Sequence, residues 1–437
     1  MLNRRVFFTL CMLFGATTSV IAAVPQSGFV AVKGKHFQLD GKPYYYAGAN
    51  LWYGMYLGSP GKTGDRARLM KELDQLAAQG IMNLRVLAIS ETSTLKRAVT
   101  PAVILRPNHI DETLWQGLDF LVAEMAKRDM KAVLYLNNFW QWSGGMATYV
   151  SWSTGKTAAD PDVTGDWNTY INSSASFYRD AKAQEAFRFA VKQLIARKNS
   201  VSGKMYSEDP TIMSWQLANE PRPGVDGDST YFDAFSKWID DTSAFIKTLA
   251  PKQLVSTGNE GWMGTAGSRE LFVKSHATKN VDYLTFHMWA PNWNWFKPKD
   301  AAATYDDAWV KMQDYLNWHI ETANKIAKPI VLEEFGINRD EGSYRPIAPT
   351  TYRDKFYTAI YGLLARRAAA GDAIAGSNFW AWGGVGRTRN ADFMWKAGDS
   401  FVGDPPQEPQ GLYCVFDSDV STVQIISAHA RQMSGMH

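Results

Sequence analysis

Residues 180–199 read "DAKAQEAFRFAVKQLIARKN", and residues 211–221, shortly after, read "TIMSWQLANEP". The first stretch spaces its apolar residues as one face of a helix. The second is a short apolar run that ends in Asn219 and Glu220 and is then blocked by Pro221, which has no amide hydrogen to give a sheet. Helix then strand is one unit, and the same rhythm runs through the chain. "DRARLMKELDQLAAQG" (65–80) leads to "IMNLRVLA" (81–88), and "ETLWQGLDFLVAEMAKRDM" (112–130) leads to "KAVLYLNNFW" (131–140). "YFDAFSKWIDDTSAFIKTLAP" (231–251) and "QLVSTGNEG" (253–261) follow, then "VDYLTFHMW" (281–289) after a shorter helical piece. "YDDAWVKMQDYLNWHIETANKIA" (305–327) leads to "PIVLEEFG" (329–336), and "TTYRDKFYTAIYGLLARRAAAG" (350–371) to "AIAGSNFWAWGG" (373–384).

Eight strands are counted, the first ending at Asn50 and the last near Trp382, with a closing helix in "VSTVQIISAHARQM" (420–433). Eight βα units closing on themselves predict an α/β fold, the (β/α)8 TIM barrel, as a single domain over 24–437. An open doubly wound sheet would want a glycine fingerprint, which is missing. A small hairpin is expected before the first barrel strand, turning at Asp40-Gly41. Long loops are expected after strand three (about 141–179) and strand eight (about 383–417), on the face where barrel enzymes build their sites.

The chain has 437 residues, 46% hydrophobic and 20% charged, an ordinary balance for a large folded core. "MLNRR" followed by "VFFTLCMLFGATTSVIAA" has the basic start, apolar stretch and small residues of a secretory signal, with cleavage expected near Ala23. That predicts an exported protein, periplasmic or secreted, with residues 1–23 removed and no later membrane span. Loss of Cys11 with the signal leaves Cys414 alone, so no internal disulfide is expected and Cys414 reads as a packed small residue. The formal charge of +3 becomes about +1 without Arg4 and Arg5, and no basic run is present, so nucleic acid is not an expected partner. A monomer is expected.

In barrel register, the polar residues at strand ends converge on one bowl: Asn50, Arg85, Asn137, Asn138, Asn219, Glu220, Glu260, His287, Glu333, Glu334 and Trp380. Glu220 at the fourth strand and Glu334 at the seventh should face each other, and two carboxylates across a cleft can cleave a glycosidic bond. Neighbouring residues on a strand point opposite ways, so only one of Glu333 and Glu334 can enter the bowl; Glu334 is chosen, with Arg85 holding it ionised and the other glutamate partnered elsewhere. Taken singly, an acid, Arg85 or His287 is more often structural; as a set in barrel register they point to catalysis. Glu260 reads as structural or substrate-contacting.

Other chemistries lack their residues. "SPGKTG" (59–64) has Tyr56 where a phosphate loop needs its leading glycine, and the seven histidines form no HExxH, so neither a metal nor another cofactor is expected. No GxSxG elbow is present. The 17 Trp crowd into polar, glycine-rich loops such as "NNFWQWSGG" and "HMWAPNWNWF", where flat faces can stack on sugar rings.

The motifs "WQLANEP" (215–221), "NLRV" (83–86), "TFHMW" (285–289), "KPIVLEEFG" (328–336) and "SNFWAW" (377–382) together resemble glycoside hydrolase family 5. "LNNFWQWSGG" (136–145) is similar to its β-mannanase and β-mannosidase branch. The resemblance implies a retaining double displacement, with Glu220 as acid/base and Glu334 as nucleophile. It implies substrate-side roles for Trp52, Arg85, Asn138, Asn219, His287, Trp289 and Trp380. Where the family usually has Tyr two residues after the histidine, this chain has Trp289, which cannot give the nucleophile a phenolic hydrogen bond. The expected activity is cleavage of β-1,4-mannosidic bonds in mannan or manno-oligosaccharides, with exo or oligosaccharide-preferring action slightly favoured because the two long loops could close the cleft. The alternatives are an endo-β-1,4-mannanase, a β-1,4-glucanase of the same family, and a non-catalytic carbohydrate-binding barrel.

Overall fold

A computed structural model describes residues 28–436; the expected leader, residues 1–23, lies outside them. The eight runs form β1 (Tyr46–Asn50), β2 (Asn83–Leu87), β3 (Lys131–Tyr135), β4 (Ile212–Gln216), β5 (Leu254–Ser256), β6 (Leu284–Met288), β7 (Ile330–Phe335) and β8 (Ile374–Phe379). All pair in parallel in the order β5-β4-β3-β2-β1-β8-β7-β6. The remaining gap between β5 and β6 is bridged by backbone bonds from Asp282 N to Val255 O (2.9 Å) and His287 N to Glu260 O (3.1 Å). The sheet is thus almost closed, and the (β/α)8 barrel is the fold.

Every residue of these strands is buried, which explains why they read as continuous apolar runs rather than as alternating ones. Around them lie α1 (Arg66–Ala78), α2 (Glu112–Ala126), α3 (Ala181–Ile195), α4 (Phe232–Leu249), α5 (Arg269–Ala277), α6 (Ala301–Ile326), α7 (Thr351–Ala369) and α8 (Val420–Ser434). Several start on a polar cap: the side chains of Asp65, Asp111, Asp180 and Ser268 accept from amides two or three residues on. Each satisfies a helix-end N–H that has no intrahelical partner. Among the described residues no helix is long and apolar enough to cross a membrane.

The N-terminal hairpin forms as a three-stranded meander, Ala31–Lys33, His36–Leu39 and Lys42–Pro43. Its turn takes positive φ at Asp40 (52°) and Gly41 (79°), the sequence a tight hairpin turn selects. Val30 and Phe37 pack on Tyr46, Met213, Leu254, Tyr283 and Val331, at the N-terminal ends of the barrel strands. That end is plugged, so access is left to the opposite face.

The two expected insertions are present but differ in kind. Residues 141–179 are not a structureless loop: they carry short helices Gly145–Thr154 and Trp167–Ala175, whose Tyr170 is buried against Leu95 and Ala147. Residues 383–417 are mostly irregular, pinned where Trp382–Gly384 pairs with Val415–Phe416. Asp404 anchors this segment, accepting from Gly411 N (2.6 Å), Tyr413 N (2.8 Å) and the Cys414 thiol (2.8 Å). Cys414 is the buried, packed residue expected of it.

Candidate active site

Strand β4 stops at Gln216, four residues before Glu220, so Glu220 does not close the strand as the sequence suggests. The chain still runs along its neighbours, bonding Leu217 N to Ser256 O (2.9 Å), Asn219 N to Asn137 O (2.8 Å) and Glu220 N to Gly258 O (2.9 Å). These contacts hold Glu220 at a φ of 49°, a left-handed conformation that residues with a Cβ adopt rarely. Such local strain is found where a side chain must be aimed rather than merely packed. Glu334 lies on β7 opposite His287 of β6, immediately after a register shift between Phe286 and His287. The shift turns both side chains towards the same space.

Of the adjacent pair on β7, Glu334 faces the cavity and Glu333 turns into the barrel interior beneath it. Glu333 accepts from Gln216 Nε2 (2.7 Å) and lies 3.7 Å from Arg85 Nε. Its hydrogen-bond partner is thus Gln216, and it also lies within ion-pair reach of the arginine that meets Glu334. Burial pushes the Glu333 carboxyl up to about 7 against the pull of Arg85.

Arg85 is fully buried and every nitrogen of its fork is used. Nη1 pairs with Glu334 Oε1 and bonds Asn50 Oδ1 (3.1 Å); Nη2 bonds Asn219 Oδ1 (2.8 Å); Nε bonds Gln216 Oε1 (2.7 Å). Asn219 in turn donates Nδ2 to Asn138 Oδ1 (3.1 Å). A single guanidinium thus sets the positions of groups from β1, β4 and β7.

Glu220 accepts three N–H bonds: from His287 Nδ1 (2.6 Å) and Trp289 Nε1 (3.2 Å) on Oε1, and from Trp140 Nε1 (2.5 Å) on Oε2. Burial penalises its charge, yet the His287 and Trp140 bonds and the nearby Arg222 hold its carboxyl below the usual range. Glu334 is shifted the other way: burial and the Glu220 charge push it up against Arg85. His287 is pulled down to about 4 by burial, so its ring is neutral and its Nδ1–H donates to Glu220. One oxygen of each carboxylate and a ring nitrogen of His287 lie within 4.8 Å of one another. Two carboxylates this close and this buried titrate as a coupled pair, whose single proton these directions favour on Glu334. The same three residues could in geometry ligate a cation, but the Arg85 charge already sits on Glu334 and would repel one.

A cavity of about 470 Å³ opens over the pair. Asn219, Glu220, Trp289, Glu334 and Trp380 line it, while Arg85, Asn138 and His287 stand behind the lining. Trp52 does not reach it: its indole N–H donates to Gly403 O (2.8 Å) and its ring packs on Trp142 and Phe401 in the core. Glu260 lines the cavity, paired with Arg222 Nη1 (2.9 Å), and is pushed up to about 8 by burial and by the Glu220 charge.

Other lining residues are not legible in the sequence. Trp167 comes from the β3 insertion, and Gln407 and Glu408 come from the β8 insertion. Glu408 has a carboxylate oxygen shielded from water with no protein donor, and burial drives its carboxyl well up. It sits in "GDPPQEPQG" (403–411), an aperiodic stretch whose only signal is an acid between prolines.

A barrel with two buried carboxylates facing each other, one just past β4 and one on β7, in a tryptophan-lined cavity, is the architecture of a glycosidase. The family model described as "GH family 5 beta-mannosidase-like" matches residues 27–437, and the chain belongs to glycoside hydrolase family 5. It is 28% identical to a protein of Arabidopsis thaliana named putative mannan endo-1,4-beta-mannosidase 4, over 94% of this chain and 93% of that one. The crystal structure of a family 5 mannosidase from Rhizomucor miehei superposes with a TM-score of 0.85 at 38% identity, covering 93% of this chain and 97% of that one. An endo-1,4-beta-mannanase of the same fungus matches at a TM-score of 0.68 and 22% identity, covering 93% and 100%, a likeness of fold alone.

Proposed function

We propose that this glycosidase cleaves β-1,4-mannosidic bonds by retaining double displacement, acting on manno-oligosaccharides from a chain end. The observation that carries the mechanism is the Glu220–Glu334 pair, with carboxylate oxygens and His287 within 4.8 Å of one another. That spacing suits direct attack by one carboxylate, whereas an inverting pair stands apart by about 6.5–9.5 Å to admit a water. The protein's own groups favour the proton on Glu334; in the reactive form of the first step it has passed to Glu220, which gives it to the leaving oxygen as that oxygen's bond to the anomeric carbon breaks. Glu334, ionised beside Arg85, forms the new bond to that carbon. In the second step Glu220 takes a proton from water, the water oxygen bonds the anomeric carbon and Glu334 is released.

Mannose as the sugar is supported by the names of the relatives at Arabidopsis and Rhizomucor. End-on action is supported by the lining: Trp140, Trp142 and Trp167, together with Gln407 and Glu408 of the β8 insertion, border the same cavity. Endo action is the second reading, favoured by the curated name of the Arabidopsis relative. The basic and apolar start of the chain supports export as the route to such a substrate.

The test is a product time course on mannohexaose beside cellohexaose, with Glu220→Ala and Glu334→Ala as controls. Mannose alone from the earliest points is expected, with both variants down by at least about a thousandfold. Mixed shorter oligomers at early times would replace end-on by endo action. Cleavage of cellohexaose alone would overturn the sugar, and clearing by Glu334→Ala would overturn the nucleophile.

A further inference from the structure

Glu220 has two jobs in opposite protonation states, and its surroundings treat those states unequally. An indole N–H can only donate, so each indole contact favours the carboxylate over the acid. Glu220 has two of them, from Trp289 and Trp140, on different oxygens. Glu334 has none among the described residues; its contacts are Arg85 on Oε1 and, at 3.4 Å, His287 on Oε2. Trp289 is itself held in place: its ring lies 5.0 Å from Tyr413 and 6.0 Å from Trp380, and the Tyr413 hydroxyl donates to Asn292 Oδ1 (2.5 Å). Tyr413 belongs to the β8 insertion, which therefore buttresses a group bonded to Glu220.

We propose that Trp289 is a positioning residue for Glu220: its indole N–H fixes the rotation of that carboxyl and favours the ionised form that activates water in the second step. Trp289 also lines the cavity, but its N–H is engaged by Glu220 rather than left for a sugar hydroxyl. The proposal rests on reading Glu220 as the acid/base.

The charged and titratable groups around Glu220 come from every side. His287 is on β6, Arg222 follows β4, Glu260 follows β5, Glu334 and Glu333 are on β7, Arg85 is on β2, and Glu408 is in the β8 insertion. Removing the indole leaves all of them in place. Glu220 is held below the usual carboxyl range and Glu334 above it, so the first ionisation of the pair is that of Glu220, and loss of a donor to Glu220 makes that step harder. The second ionisation removes the proton from Glu334 with Glu220 charged before and after, so Trp289, which does not touch Glu334, leaves that step unmoved.

The experiment is the pH dependence of kcat/KM for wild type, Trp289→Phe and Trp289→Tyr on an aryl mannoside, with thermal melting to confirm folding. For Trp289→Phe the acidic limb is expected to move up by about one pH unit, the alkaline limb to stay, and the shift to shrink for Trp289→Tyr, whose hydroxyl can donate. A uniform loss at all pH values with both limbs unmoved would reduce Trp289 to packing and overturn the proposal. Movement of the alkaline limb instead would assign the residue to Glu334 and overturn it equally. Glu220→Ala is run with azide and a dinitrophenyl mannoside: restored turnover, with a β-mannosyl azide product, supports the acid/base reading. Failure of that rescue would remove the reading on which the proposal stands, separately from any shift in Trp289→Phe.

Discussion

Arg85 shows how much of this site depends on one side chain. Its fork reaches Glu334, Asn50, Asn219 and Gln216, and lysine offers a point charge where these four need a planar donor set. An Arg85→Met variant leaves Glu334 buried without its cation, a loss of about 3–5 kcal/mol in comparable buried pairs. That cost is read in melting curves, and the misplaced, mischarged Glu334 is separately expected to lower kcat/KM on a manno-oligosaccharide by at least about a hundredfold. Activity within tenfold of wild type, in a folded variant, would mean that Arg85 does not hold Glu334 ionised. At this scale the sequence was informative about residue type and silent about direction. Arg85, Asn219, Glu220, His287 and Glu334 could all be picked from strand ends, whereas Trp52 could not be told from a cavity tryptophan. Its indole N–H happens to meet Gly403 O, a residue 351 positions later.

Among the elements, the βα units were readable because each carries its own punctuation. Helix α3 is an example: Asp180 accepts from Ala183 N (3.0 Å) and from Ser153 Oγ (2.8 Å), joining the helix start to the β3 insertion. Asp180→Ala is expected to cost about 1–2 kcal/mol, read as a lower midpoint in urea unfolding, with little change in turnover. The insertions were legible as extra length and not as structure. Short helices such as Trp167–Ala175 have too few residues for a clear period and are stabilised by contacts such as Trp140 with Tyr170. The β8 insertion has no period at all, which is why Gln407 and Glu408 escaped notice.

For the whole molecule, buried ionisable groups set how stability depends on pH. Glu91, Glu260 and Glu333 are pushed up to about 8, about 8 and about 7, chiefly by burial, from an ordinary 4.5. Between those values the folded chain holds protons that the unfolded chain has released, so stability falls as pH rises from about 4.5 to about 8. His276, His319 and His429 act in the opposite sense. Burial pulls each from 6.5 down to about 3, so the unfolded chain takes up protons first and stability falls as pH drops from about 6.5 towards 3. The two sets oppose each other between about 4.5 and 6.5, where Tm is expected to be highest, with lower values at pH 8.5 and at pH 4. Glu91→Gln, at a residue that does not line the cavity, should flatten the alkaline decline. A Tm that kept climbing to pH 8.5 would contradict this balance.

By itself the sequence determined the number and order of the βα units, the position of the cavity at the strands' C-terminal ends, and the identity of the carboxylate pair. These follow from periodicity and from the geometry any parallel barrel imposes on its strand ends. Only the tertiary structure decided which tryptophans face the cavity, that Glu333 and Glu334 share one arginine, and that Trp289 and Trp140 donate to Glu220. Those contacts join residues dozens to hundreds of positions apart, and depend on side-chain rotations and loop paths that no local pattern encodes.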